Sequence, residues 1–168
     1  MVGRAHALLY SPDGQTILLH EYGPGELFGA LAPDVGLEEA DVVAVEAVRA
    51  LLLEAGVLAG LAERHGCIGL ALSRLLLRRL RATSERMYER AALSAGGRVC
   101  AELLRLARQG ERMAIRPVPV IAELALRVGT TRETASRTVS GLERRGIVRR
   151  EGDALVVAAP RRLEAEIL

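Results

Sequence analysis

The spacing of hydrophobic and polar positions changes along the chain. Up to residue 53 the apolar residues come in short runs: Ala5–Tyr10, a Ser-Pro-Asp-Gly break at Ser11–Gly14, then Thr16–His20. Proline presets φ and glycine accepts positive φ, so this order predicts a hairpin. GPGELFG (Gly23–Gly29) is a second glycine-punctuated bend, and Val42–Val45 and Val48–Leu53 read as further strands. Near Ala55 the pattern turns helical. From Ile68 to about Leu93 it predicts one long helix, on which Leu70, Ser73, Leu77, Leu80, Ser84, Met87 and Ala91 recur at alternating spacings of three and four. That is a heptad seam with two serine interruptions, flanked by Arg74, Arg78, Arg79, Arg81, Glu85, Arg86, Glu89 and Arg90 as solvated positions. A seam this narrow fits a second copy of the helix and predicts a homodimer; an intramolecular stripe is the alternative.

The seam stops at SAGGR (Ser94–Arg98), where paired glycines break the helix and Ser94 can cap the next one. This break divides residues 1–93 from 98–168. Arg98–Arg108 is then a helix with Val99, Leu103, Leu104 and Ala107 on one face, and GERMAIRPVP (Gly110–Pro119) reads as a connector. Val120–Val128 is a short helix ended by Gly129. Thr130 or Thr131 caps a helix that runs to about Arg145, burying Ala135, Val139 and Leu142, and Gly146 stops it. Ile147–Arg150 and Ala154–Ala158, joined by Glu-Gly-Asp, predict a two-stranded wing. The fold class is α+β, with strands first and helices after.

Composition sharpens this picture in three ways. Half of the 168 residues are hydrophobic and only 2% are aromatic, so the core is built from Leu, Val and Ala. Residues 1–97 carry 9 Arg against 12 Asp and Glu, a balance of −3, whereas residues 98–168 carry 14 Arg against 9, a balance of +5. A mildly acidic first part and a basic second part suit a sensor or scaffold joined to a polyanion binder. The basic residues are all arginine, which mainly reflects genome composition. Cys67 and Cys100 form no CxxC pair, and His6, His20 and His65 are scattered, so neither a disulfide framework nor a metal site is expected. Buried thiols in a reducing cytoplasm are the expectation. MVGRAHALLY has no long apolar core of a signal peptide, and the apolar stretch near Ala44–Leu61 is broken by Glu46, Arg49 and Glu54.

The candidate chemistry lies in the arginine-dense stretch from Gly129 to Gly152. A helix that follows a glycine-ended turn places its N-terminal exposed side chains where base edges can be read. Here those are Arg132, Glu133, Ser136 and Arg137. Arginine donates bidentately to guanine O6 and N7, and glutamate accepts from cytosine N4. The Thr131 and Thr134 hydroxyls suit phosphates. Charged helix faces are common, and outside this turn context a merely solvated face is the better reading.

RETASR (Arg132–Arg137) resembles the recognition-helix motif of the Crp–Fnr superfamily of bacterial transcription regulators. Gly3–Gly29 resembles the later half of that family's β-roll sensor, Leu72–Met87 its dimerisation helix, and GRVCAELLRLA the start of its winged helix-turn-helix. The resemblance implies a homodimer reading a palindromic operator, with Glu133 and Arg137 at a G·C pair, Arg132 at another guanine and Ser136 at a thymine. It implies half-sites near TGTGA or TTGAT, double-stranded DNA as partner, RNA polymerase as a further candidate partner and a cytoplasmic location. The chain starts later than the family's sensor normally does. It has Ala30 where cyclic-AMP binders hold a ribose-binding Glu, and Ala40 and Asp41 where they hold an Arg-Ser phosphate site. A carboxylate in place of a guanidinium repels an anion, which argues against cyclic AMP. Thr83 and Ser84 match the family's adenine-contacting pair and are the candidate effector contacts. Two cysteines exclude the clustered-cysteine iron–sulfur variant of the family.

The expectation is therefore a DNA-binding regulator without cofactor. The alternative is a truncated dimerisation or interaction module that modulates other regulators without productive DNA binding. An enzyme built on Glu38, Glu39, Asp41 and His65 finds no supporting motif.

Overall fold

The computed structural model describes residues 2–30 and 40–168. Glu38 and Glu39 lie outside them. The chain divides into two compact units, Met1–Glu85 and Arg86–Leu168, and the division falls inside the long helix, ahead of a break at Leu93 and Ser94. Gly96 and Gly97, expected to break the helix, instead lie in the first turn of the next one, which begins at Ala95.

In the first unit, strands β1 (Ala5–Tyr10), β2 (Thr16–Tyr22) and β3 (Asp41–Ala44) form an antiparallel sheet in the order β2-β1-β3. The hairpin turn forms as the Pro-Asp-Gly order requires: Gly14 takes φ +80° and its N–H donates to the Ser11 carbonyl at 2.9 Å. Ala5, Ala7 and Tyr22 are buried together, with Ala5 opposite Tyr22 in register. Val48–Leu53 is not a strand. Its one backbone pairing among the described residues is the isolated bridge between Val2 and Arg49, and Leu51 and Leu52 are fully exposed. An apolar run needs a neighbouring strand to become one, and among the described residues this run has none. Helices α1 (Ala55–Arg64) and α2 (Gly66–Ala92) follow, and neither contains a buried residue. Arg79 departs from the solvated flank expected of it. Its guanidinium lies 5.2 Å from the centre of the Tyr22 ring and donates to the Leu27 carbonyl. Glu89 likewise pairs with Arg105.

The second unit has one core. Helix α3 (Ala95–Gln109) supplies Val99, Cys100, Leu103, Leu104 and Ala107 to it, and its N-cap is Ser94, whose Oγ accepts from the Gly97 N–H at 3.0 Å. Against this stripe pack Leu124, Ala125 and Val128 of α4 (Ile121–Val128) and Ala135, Val139 and Leu142 of α5 (Arg132–Arg144). Fully burying each large aliphatic side chain is worth about 1.5–3 kcal/mol.

Two elements depart from expectation. The Gly110–Pro119 connector contains a 3-10 turn, Glu111–Met113, and a strand, β4 (Ala114–Ile115). That strand pairs with β6 (Ala154–Val157), which also pairs with β5 (Val148–Glu151), so the wing is three-stranded in the order β4-β6-β5. A two-residue strand carries no readable alternation, and its partner lies far along the chain. The chain then closes with α6 (Pro160–Ala165), with Pro at its start and Leu163 completely buried in the core. Proline at the first helical position is pre-organised for the helix because its missing N–H is not needed there.

Candidate nucleic-acid interface

The turn before α5 is built from satisfied backbone groups. Gly129 sits in the left-handed region at φ +62°, and its N–H donates to Leu126 O at 3.2 Å while the Thr130 N–H donates to Ala125 O at 3.0 Å. This pairing of the two residues beyond the helix end with its last carbonyls is a Schellman motif. It leaves the carbonyls of Val128 and Gly129 without helical partners. Arg98 supplies them, from Nε to Val128 O at 2.8 Å and from Nη2 to Gly129 O at 3.2 Å. The same guanidinium reaches Leu93 O at 3.0 Å. One side chain of α3 thus ties the last residue before its own cap to the helix-turn-helix corner.

Beyond that corner Thr131 is the cap: its Oγ1 accepts from the Thr134 N–H at 3.2 Å and donates to Thr134 Oγ1 at 3.1 Å. Ala135, Val139 and Leu142 fill the buried stripe of α5, as their spacing predicts. Arg132, Glu133, Ser136 and Arg137 are exposed on the opposite side, Thr131 is exposed, and Thr134 is half-buried. The predicted base-reading set and the two threonines therefore share the first two turns of one helix.

Charge pairing separates these arginines from their neighbours. Arg116 pairs with Asp153 at 2.7 Å, Arg145 with Glu166 at 2.8 Å, Arg149 with Glu151 at 2.5 Å and Arg150 with Glu143 at 2.7 Å. Arg105 bridges Glu89 and Glu102, and Arg108 meets Glu164. Among the described residues Arg132, Arg137 and Arg144 have no carboxylate partner, and Glu133 has no cationic one; Arg137 makes only a long contact to Thr134 Oγ1 at 3.4 Å. An unpaired guanidinium keeps all of its donors for a ligand.

The profile of the Crp-like helix-turn-helix domain matches residues 97–166. Over 159 residues, 91% of this chain and 71% of the relative, the sequence is 30% identical to the CRP-like cAMP-activated global transcriptional regulator of Mycobacterium tuberculosis. The chain belongs to the Crp–Fnr family of transcription regulators. It is also 38% identical over 139 residues to the cyclic AMP receptor protein of Thermus thermophilus, covering 81% of this chain and 62% of that one. FixK2 from Bradyrhizobium japonicum has the same fold, with a TM-score of 0.80 at 20% identity over 99% of this chain and 84% of that one.

In this Crp–Fnr chain the other predicted residues fall outside the DNA-binding unit or at its edge. The seam residues Leu70, Leu77, Leu80, Ser84, Met87 and Ala91 are all exposed along α2, with Leu77 and Leu80 each 64% exposed. Thr83 and Ser84 are exposed on the same helix. Ala30 and Asp41 are exposed and Ala40 is half-buried. Of the cysteines, Cys100 is buried as expected but Cys67 is exposed, near the start of α2, where no core reaches it. No helix among the described residues is long and apolar enough to cross a membrane.

Sequence reasoning missed Arg98 and Arg144. Arg98 was counted only as the start of a helix; the signal available was an arginine in the first turn, where the helix dipole disfavours a cation unless other carbonyls hold it. Arg144 sits in a run of arginines and glutamates in which spacing does not distinguish the paired from the free.

Proposed function

We propose that this chain is a homodimeric, sequence-specific DNA-binding transcription regulator that places two copies of α5 in successive major grooves of a palindromic operator. Arg132, Glu133, Ser136 and Arg137 read base edges, and Thr131 and Thr134 meet phosphates. The observation that carries this reading is the unpaired state of Arg132, Glu133 and Arg137 on a helix whose entry corner is held by Arg98 and the Thr131 cap, in a unit where Arg105, Arg108, Arg116, Arg145, Arg149 and Arg150 are each paired with a carboxylate. A rigid helix with free donors is what direct readout needs.

The exposed heptad positions of α2 supply the dimer contact, because an apolar seam at that spacing loses area to water only against another helix. The two relatives named above are called cAMP-activated and a cyclic AMP receptor. For this chain, Ala30, Ala40 and Asp41 argue against cyclic AMP as effector, and Thr83 and Ser84 stand as the effector contacts to test. RNA polymerase is the partner that activation would require.

Selection from a random duplex library, run with and without cyclic nucleotides, tests the reading directly. Enrichment of a palindrome with half-sites near TGTGA or TTGAT supports it. Recovery of no palindrome would leave a dimerisation or interaction module in its place.

A further inference from the structure

A groove of about 520 Å³ runs beside α5 within the second unit. One wall is the flank of α5 that carries Arg137, Gly141 and Arg144, which share a face at spacings of four and three. The floor is the start of α3, where Gly97 and Cys100 are buried and the Ile167 carbonyl lies against Gly97. At Gly141 even a methyl group would meet nothing within 4 Å. The groove therefore lets a polymer come close to the backbone of α5 at Gly141.

Its charge is one-sided. Arg137, Arg144 and Arg145 line it against one carboxylate, Glu166. Glu166 accepts from Arg145 at 2.8 Å and neutralises it, and Arg144 has no carboxylate partner among the described residues. A concave surface with two uncompensated guanidiniums attracts a polyanion.

Helix length decides which part of the polyanion this is. Arg132 and Arg144 stand at the two ends of α5. At 1.5 Å per residue they are roughly 18 Å apart along the axis. The major groove is about 12 Å wide. A helix that crosses the groove with its first turn on the base edges has its last turn beyond it, at the sugar–phosphate strand.

We propose that this groove seats the DNA backbone flanking the base pairs read by α5, with Arg144 as its phosphate ligand and Arg145 held in reserve by Glu166. This rests on the reading that α5 enters the major groove. The seat adds affinity without sequence preference, and Glu166 sets how much of it is available. Removing the Glu166 charge releases Arg145 to a second phosphate.

The test uses the full chain, with fluorescence anisotropy on its selected palindrome and on a scrambled duplex, over a series of salt concentrations. Arg144→Ala should weaken both duplexes by the same factor and flatten the plot of log K against log salt by about 1 per half-site. Arg144→Lys should restore most of the slope. Glu166→Gln should tighten both duplexes equally and steepen the slope. An Arg144→Ala protein with an unchanged slope overturns the phosphate seat, as does a loss confined to the palindrome, which would make Arg144 a base contact. An unchanged Glu166→Gln protein overturns the reserve role of Arg145. Failure of the underlying reading looks different: the wild-type chain would bind the two duplexes equally, while Arg144→Ala still weakened both.

Discussion

Arg98 Nε donates to the carbonyl of Val128 at 2.8 Å, joining the first turn of α3 to the last residue of α4. A carbonyl at a helix end costs free energy if it is buried unpaired, and a charged donor is a strong partner for it. Replacing Arg98 by Ala is expected to lower stability by about 1–3 kcal/mol, read as a lower urea midpoint. It should also weaken binding to every duplex alike, because the corner that aims α5 loosens while no base contact is removed. A variant with wild-type stability would show that water replaces the guanidinium at no cost.

Arg137 tests the recognition face itself. Changing it to Ala should cost about 1–3 kcal/mol on the preferred site and relax preference at a single base pair in each half-site. Competition anisotropy against a set of single-substituted duplexes reads this directly. An equal loss on all duplexes would recast Arg137 as a phosphate contact.

Leu80 tests the seam. It is 64% exposed, and α2 holds no buried residue, so Leu80→Glu should leave the fold of each chain intact. A carboxylate at a heptad core position faces its copy across the seam, and like charges there oppose pairing. Light scattering should report a monomer, and affinity for a palindrome should fall to that of a single half-site. A dimer that persists would move the interface elsewhere.

The cysteines are expected to behave oppositely. Cys100 is buried, and burial first, then the Glu166 carboxylate, push its pKa up to about 11 against the opposing pull of Arg145. At pH 8 it is therefore a neutral thiol, whereas Cys67 is exposed on α2. Thiol titration of the native chain should show one fast group and one that reacts only on unfolding. Since the folded value lies above the ordinary 9.0, the stability it contributes is complete below pH 9 and is lost as pH rises toward 11. A melting series from pH 8 to pH 11 should decline over that window, and Cys100→Ser should flatten the decline.

Most of the helix-turn-helix was legible because its signals are local. Gly129, Thr131 and the stripe Ala135, Val139 and Leu142 all act within one or two turns, and each does in the fold what its type and spacing predict. The strand expected at Val48–Leu53 failed for the opposite reason. Its residues have the right character, but a strand exists only by pairing, and among the described residues the Val2–Arg49 bridge is its only pairing. Strand β4 and helix α6 were invisible for the same cause: Ile115 is held by Leu155, and Leu163 is held by a core assembled from α3, α4 and α5.

The sequence by itself determined where α4 and α5 begin and end, which face of α5 is apolar, and which residue types stand on its exposed side, because caps, glycine stops and helical periodicity act over a few residues. Only the tertiary structure decided which arginines are free. Arg145 is neutralised by Glu166 and Arg98 is consumed by the corner at Val128, while their neighbours Arg132, Arg137 and Arg144 are left uncommitted. Charge pairing depends on distances between residues far apart in the chain, and those distances exist only once the core has brought the helices together.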